Sequence, residues 1–261
     1  MDKKGYIICT VIVFVIAVIV ASTLKITLNR NIPDEDTTSP SSTRKTTNKR
    51  EDLMEGITLN YHASIRIQKN GKVIYFDPYK IDNANNDADY IFFTHSHYDH
   101  FSKEDINKIK KDTTKYVITT DLEGEIKNMG VSDDNILVVY PDKEYDIDSL
   151  SFETVPAYNV EKTYHKKSYN WVGYNITIDN SKYYIVGDSD ATPELKEVKC
   201  DVIFIPVGGT YTMNSKEAAE VVNEMGVKYA VPIHYGVVGS RQDAEDFVGY
   251  LNDNIKGVVL K

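Results

Sequence analysis

Three imidazoles and one carboxylate fall within six residues, His95-Ser96-His97-Tyr98-Asp99-His100, directly after the apolar run Ile91-Phe92-Phe93. Half of the chain's six histidines stand there. Imidazole nitrogen and carboxylate oxygen are the donors that Zn²⁺ and other borderline divalent ions take, and gathering several on one turn lowers the entropy cost of building a site. With residues 90–94 as a buried strand, the motif sits at the strand's C-terminal end, where α/β layer proteins place ligands. His95 and His97 then share one side of an extended turn and can grip one ion, while Asp99 and His100 enter the next turn and can face another. The spacing predicts two neighbouring cation sites.

The H-x-H-x-D-H pattern resembles the metallo-β-lactamase superfamily. Further segments fit in order: Tyr61-His62-Ala63-Ser64, Phe76-Asp77-Pro78, Pro156-Ala157-Tyr158-Asn159, Gly187-Asp188-Ser189 and Pro232-Ile233-His234-Tyr235. The likeness runs from about Ile57 to the C-terminus and is greatest to the branch holding the ascorbate-phosphate lactonase and the N-acyl-phosphatidylethanolamine phospholipase D. Members of that branch often begin with G-H-[AS]-S, and Tyr61 stands in place of the glycine. The resemblance implies a four-layer αββα sandwich with a dinuclear centre at one edge. One ion would be held by His95, His97 and a third histidine, the other by Asp99, His100 and His234, with Asp188 bridging. A shared hydroxide would be the nucleophile, and Asp99 and Asp188 the catalytic carboxylates. Separately, the place of Asp99 between His97 and His100 suggests that it relays a proton to the leaving group. The implied cofactors are two divalent ions, Zn first, with Mn, Ni or Fe as other options.

The third histidine is where the pattern departs. Phospholipase-like relatives carry it in the segment that here ends at Asn159, and His165 is the nearby replacement. His62 is the other option, or else it hydrogen-bonds at the floor of the site. Asp77, after a strand over 73–76, is placed to orient a ligating imidazole through its free ring N–H. Asp188 follows the apolar run 183–186 and could instead be an ordinary turn residue. His234 closes the run 229–233 and could instead be a satisfied core histidine. After a strand over 202–205, paired glycines at 208–209 allow close backbone approach, so Tyr211 or Thr212 is a candidate donor to a developing oxyanion. Ser215 would cap a helix through Met225.

Strand-like runs at 116–120 and 136–140 alternate with helical stretches at 122–129, 215–225 and 241–251, which supports packed α/β layers. The 206 residues from Gly56 suffice for one domain with a sizeable core, bounded here as 55–261. Residues 1–30 form a predicted membrane anchor. No charge interrupts Tyr6 to Leu24, nineteen residues that as a helix reach about 28 Å, against a bilayer core of roughly 30 Å. An uncleaved anchor is favoured over a cleaved signal, because bulky Ile19 occupies a position where a cleavage site needs a small residue. Lys3 and Lys4 precede the span, Lys25 and Arg30 follow it, and the predicted topology is single-pass with an outward-facing domain. Residues 31–54, rich in Ser, Thr, Pro and charge, read as a flexible linker. Cys9 falls in the span, so Cys200 has no partner for a disulfide within the domain.

Beyond residue 54 the chain carries 22 Lys or Arg against 33 Asp or Glu, a net charge of −11. Such a domain is a poor non-specific nucleic-acid binder. Three classes remain: a membrane-anchored metal-dependent hydrolase acting on a small or lipid-like ester, lactone or phosphodiester; a nuclease of the same superfamily, disfavoured by charge; and a non-catalytic metal-binding or sensing module, which the departure at Asn159 keeps open.

Overall fold

In the parallel half of each sheet the apolar residues alternate between two cores, because successive side chains of a strand point to opposite faces. The computed structural model describes residues 53–260, all within one unit spanning Arg50–Lys261. Strands β1 (Ile57–Tyr61), β2 (Ser64–Lys69), β3 (Lys72–Phe76), β4 (Tyr90–Phe92), β5 (Lys115–Ile118) and β6 (Ile136–Val138) form one sheet in sequence order. Strands β7 (Lys143–Ile147), β8 (Leu150–Pro156), β9 (Val172–Ile178), β10 (Ser181–Ile185), β11 (Val202–Pro206), β12 (Tyr229–Ile233) and β13 (Lys256–Gly257) form the other. In each sheet the antiparallel strands come first and the parallel ones last, β3 to β6 and β10 to β13.

Tyr90 and Phe92 of β4, Tyr183 and Ile185 of β10 and Val202 and Phe204 of β11 meet between the sheets. Their neighbours turn outward. Ile91 and Phe93 pack with Ile106 and Ile109 of α1 (Lys103–Ile109) and Ile126 of α2 (Glu123–Asn128). Tyr184, Ile203 and Ile205 pack with Leu195 of α3 (Pro193–Glu197), Val221 and Val222 of α4 (Ser215–Met225) and Phe247 of α5 (Arg241–Gly249). Three apolar layers between four layers of structure give the αββα order expected from the resemblance. The expected strands and helices are present with ends shifted by at most two residues. Asn214, rather than Ser215, caps α4, accepting from the amides of Lys216 and Glu217 while Glu217 returns a carboxylate to the Asn214 amide.

The predicted anchor and linker lie outside the described residues, apart from Leu53 and Met54. Among the described residues no helix is long and apolar enough to cross a membrane.

Candidate metal centre

The chemistry-bearing residues collect at one edge of the two sheets, where parallel strands end. Asp77 follows β3, Thr94 to His100 follow β4, Asp188 follows β10 and His234 follows β12, while His62 sits in the β1–β2 hairpin. His165 comes from the long connection between β8 and β9. The amides of His100 and Phe101 both donate to the His97 carbonyl, at 3.0 and 2.8 Å, and this turns the motif back on itself. Cross-sheet bonds fix the two halves: Val172 N to Thr94 O at 3.2 Å, Tyr174 Oη to Phe93 O at 2.6 Å, and His234 N to His62 O at 2.8 Å.

Several of these residues sit in unusual backbone. Among the described non-glycine residues with positive φ, four are buried, and they are His62 (56°), Asp77 (46°), His165 (53°) and His234 (62°). A left-handed residue costs on the order of 1–3 kcal/mol and persists where its surroundings hold it, a pattern that concentrates at functional sites. All four are of residue types that tolerate that region.

Asp77 orders the site from below. Its Oδ1 accepts from the Thr94 amide at 2.8 Å, and its Oδ2 accepts from the Thr94 hydroxyl at 2.6 Å and from His100 Nδ1 at 2.8 Å. The Thr94 hydroxyl proton is thereby spent, so Thr94 Oγ1 accepts from His95 Nδ1 at 2.9 Å. Both imidazoles therefore carry a proton on Nδ1 and present the Nε2 lone pair to the site. One buried carboxylate sets the tautomer of a histidine in each half of the motif.

The donors form two groups whose ligand atoms lie within 4.8 Å of one another: His95, His97, His165 and Asp188, and His62, Asp99, His100 and His234. His97 Nδ1 lies 3.1 Å from His95 Nε2 and 3.3 Å from His165 Nε2. Asp188 Oδ2 lies 3.1 Å from His165 Nε2, 3.8 Å from His95 Nε2 and 3.0 Å from His234 Nε2, and its Oδ1 is 3.3 Å from His100 Nε2. Asp188 thus stands between the groups. Bonds of about 2.0–2.1 Å at tetrahedral angles would separate ligand atoms by roughly 3.3 Å, which matches these spacings.

The fit to a cation rests on the pair His100 and Asp188. His100 Nε2 and Asp188 Oδ1 are buried, face each other and make no hydrogen bond. With the His100 proton on Nδ1, a lone pair meets an anion, and a buried pair of acceptors needs a cation between them. A proton can fill that role. Burial alone would lower the His100 pKa, but the Asp188 and Asp77 carboxylates outweigh it and hold it well above the ordinary histidine value. Burial would raise Asp188, yet His234 and His100 hold it well below the carboxylate range. His95 is lowered by burial and then by His100.

His62 belongs to a group by distance and differs from it in chemistry. Its Nδ1 accepts from the amides of Gly236 and Val237, at 3.1 and 3.2 Å, so the neutral ring carries its proton on Nε2. Burial lowers its pKa to about 4, which keeps it neutral. That Nε2 faces Asp99 Oδ2 at 3.3 Å, outside hydrogen-bond geometry, and turns an N–H rather than a lone pair toward the carboxylate. The Tyr61 departure has a physical reason here. Its hydroxyl donates to Gly236 O at 2.6 Å, and its ring fills the space where a Cβ on Gly236 would stand 2.8 Å from Cζ.

His165 reaches the site through Asn159. The Asn159 amide nitrogen lies 2.7 Å from Tyr211 O and 3.1 Å from His165 Nδ1, and the Asn159 backbone N–H donates to His165 O. Asn159 thus fixes the His165 ring, but as placed it donates to the nitrogen that would carry the proton in a ligating tautomer. Tyr211 lines a cavity of about 210 Å³ above the centre, with Tyr98, Asp99, Tyr164 and Val238. Thr212 turns its hydroxyl to Met213 O at 3.4 Å and is no part of that lining. A larger cavity of about 630 Å³, lined by Asp142, Lys143, Glu153 and Lys182 among others, shares no residue with the centre.

Sequence reasoning missed two contributors. Thr94 couples Asp77 to His95. Trp171, the chain's single tryptophan, packs tilted against the His95 ring at 4.6 Å and edge-on to the His97 ring at 4.8 Å, and donates its indole N–H to Asp121 at 2.8 Å. Neither carries a ligand signature, and only the fold brings Trp171, over seventy residues downstream, against the motif.

An αββα sandwich with a His and Asp cluster at the ends of its parallel strands defines a class of hydrolytic metal centres. The chain belongs to the Beta-lactamase superfamily domain family, whose model matches residues 56–234, and it is a metal-dependent hydrolase of the metallo-β-lactamase superfamily. It is 28% identical to a UPF0173 metal-dependent hydrolase of Geobacillus thermodenitrificans over 75% of this chain and 92% of the relative. A UPF0173 protein of Pyrococcus furiosus is 32% identical over 77% of this chain and 92% of its own length. A Parabacteroides distasonis crystal structure, assigned as a metal-dependent hydrolase, superposes with a TM-score of 0.68 at 29% identity, covering 78% of this chain and 91% of that one.

Proposed function

We propose that this hydrolase works through two divalent ions, Zn first, one held by His95, His97, His165 and Asp188 and the other by Asp99, His100, His234 and Asp188. The observation that carries the reading is the pair of four-donor groups with Asp188 between them, its Oδ2 3.1 Å from His165 Nε2, 3.8 Å from His95 Nε2 and 3.0 Å from His234 Nε2. Ions bound there would supply a nucleophilic hydroxide near neutral pH and stabilise the oxyanion formed from an ester, lactone or phosphodiester. The chain's own residues do the rest. Asp77 and Thr94 keep His95 and His100 in the ligating tautomer, and His62 turns an N–H toward Asp99. Asp99 borders the cavity, so its carboxylate can pass a proton to the leaving group. His165 is the weaker ligand of the set, because the Asn159 amide as placed donates to its Nδ1 and must turn over for that nitrogen to carry the proton.

The test is metal content of the purified chain beside turnover of a generic ester and a generic phosphodiester. Two ions per chain and activity abolished by a chelator support the reading. His165→Ala is expected to lose one ion and keep the other; a chain that takes up no divalent ion at micromolar concentration ends it. The uncharged run from Tyr6 to Leu24 supports a membrane anchor in the same reading, and extraction of the full chain by detergent but not by salt is its check.

A further inference from the structure

The cavity over the centre has a composition that points to its substrate. Setting aside the candidate ligands, its lining is Tyr98, Tyr164, Tyr211 and Val238. Tyr98 and Tyr164 are large rings left 66% and 52% exposed, Tyr164 meets the Tyr211 ring edge to face at 4.8 Å and 84°, and Tyr98 meets Tyr79 in the same way at 6.2 Å and 79°. Exposed rings gathered at one mouth mark a binding surface, whereas scattered ones do not. Among the described residues no Lys or Arg lines the cavity. Three lysines close by in the chain are engaged by other groups: Lys162 with Asp190, Lys167 with Glu194 at 2.6 Å, and Lys80 over the Tyr61 ring at 4.1 Å. An enclosed space of about 150 Å³ suffices for a benzene ring. The 210 Å³ here, open to solvent at its mouth, has room for one such ring beside the reacting group.

We infer that the substrate carries one flat, benzene-sized aromatic group next to the bond that is cleaved, seated among Tyr98, Tyr164 and Tyr211. The inference rests on the hydrolytic reading of the centre and adds the substrate class to it. For an ester, water is divided across the acyl C–O bond: hydroxyl joins the acyl carbon, the C–O bond breaks and the proton leaves with the alcohol. Carboxylic esters and phosphodiesters share the aromatic requirement, and separate arms of one experiment tell them apart.

The metal-loaded full chain is assayed with methyl phenylacetate against methyl cyclohexylacetate, and with benzyl methyl phosphate against cyclohexylmethyl methyl phosphate. Each pair keeps the scissile bond and exchanges a flat ring for a puckered one. In parallel, calorimetry compares binding of phenylacetate and cyclohexylacetate. In the arm that turns over, kcat/KM is expected to favour the aromatic member by at least about fivefold, the scale of one or two ring contacts. Tyr98→Ala and Tyr164→Ala are expected to bring the ratio toward one with metal content unchanged. Equal rates within both pairs, or a ratio the tyrosine variants do not move, overturn the inference and leave the hydrolytic reading standing. Tighter binding of phenylacetate without turnover of any probe supports the aromatic slot and counts against the ester and phosphodiester reading. Equal binding without turnover overturns the slot.

Discussion

A histidine is a ligand or an orienting donor according to what its far nitrogen touches, and this site contains both kinds side by side. His100 gives its Nδ1 proton to Asp77, whereas His62 receives two backbone N–H groups at Nδ1. His100→Gln is therefore expected to remove one ion from the purified chain and His62→Gln to keep two, as counted by elemental analysis. Loss of an ion from His62→Gln would place His62 among the ligands. The same nitrogen sets an acid limb for the metal-free chain. Burial lowers the His62 pKa to about 4, below the unfolded value of roughly 6.5, so the contribution is fully present above about pH 6.5 and is lost as pH falls toward 4. The span corresponds to on the order of 3 kcal/mol. The urea midpoint of metal-free protein is expected to fall more steeply between pH 7 and 4.5 in the native chain than in His62→Gln.

At the level of elements, the site depends on the first residues past each strand more than on the strands themselves. Asp77, one residue past β3, holds Thr94 and His100 together, and its φ of 46° suits asparagine as well as aspartate. Asp77→Asn is expected to keep the fold, with little change in melting temperature of the metal-free chain, while weakening metal affinity by about 10- to 100-fold. Equal affinity in a competition with a chromogenic chelator would remove Asp77 from that role. The same distinction governs how much of the fold and site is legible in the sequence. The strands before His95, Asp188 and His234 are legible because buried parallel strands are continuous apolar runs that end where ligands begin. The Asn70-Gly71 turn between β2 and β3 is a hairpin signal, and β8 and β9, absent from the expected strands, carry a period-two alternation in Leu150 and Phe152 and in Val172, Tyr174 and Ile176 that a sequence reading could have used. The tautomers of His62 and His165 are beyond its reach, since they depend on the amides of Gly236 and Val237 and on Asn159 being turned inward. A residue string cannot show those contacts.

For the molecule as a whole, any ion bound at this edge bridges elements distant in the chain, so binding is coupled to folding. At a hundredfold excess over Kd each ion contributes about 2.7 kcal/mol, and a domain of this size shifts its Tm by roughly 2–4 °C per kcal/mol, so chelation is expected to lower the Tm by roughly 5–10 °C for each ion removed. A calorimetric scan with and without a chelator measures it. The first sheet is built wholly from residues 57–138 and the second from 143–257, yet each candidate ion takes donors from both. A protease cut in the short stretch between β6 and β7 would leave two fragments, each holding a complete sheet and an incomplete coordination set. The apolar layer shared by the sheets would hold such fragments together, and a chelator would show in gel filtration how much a bound ion adds to that grip.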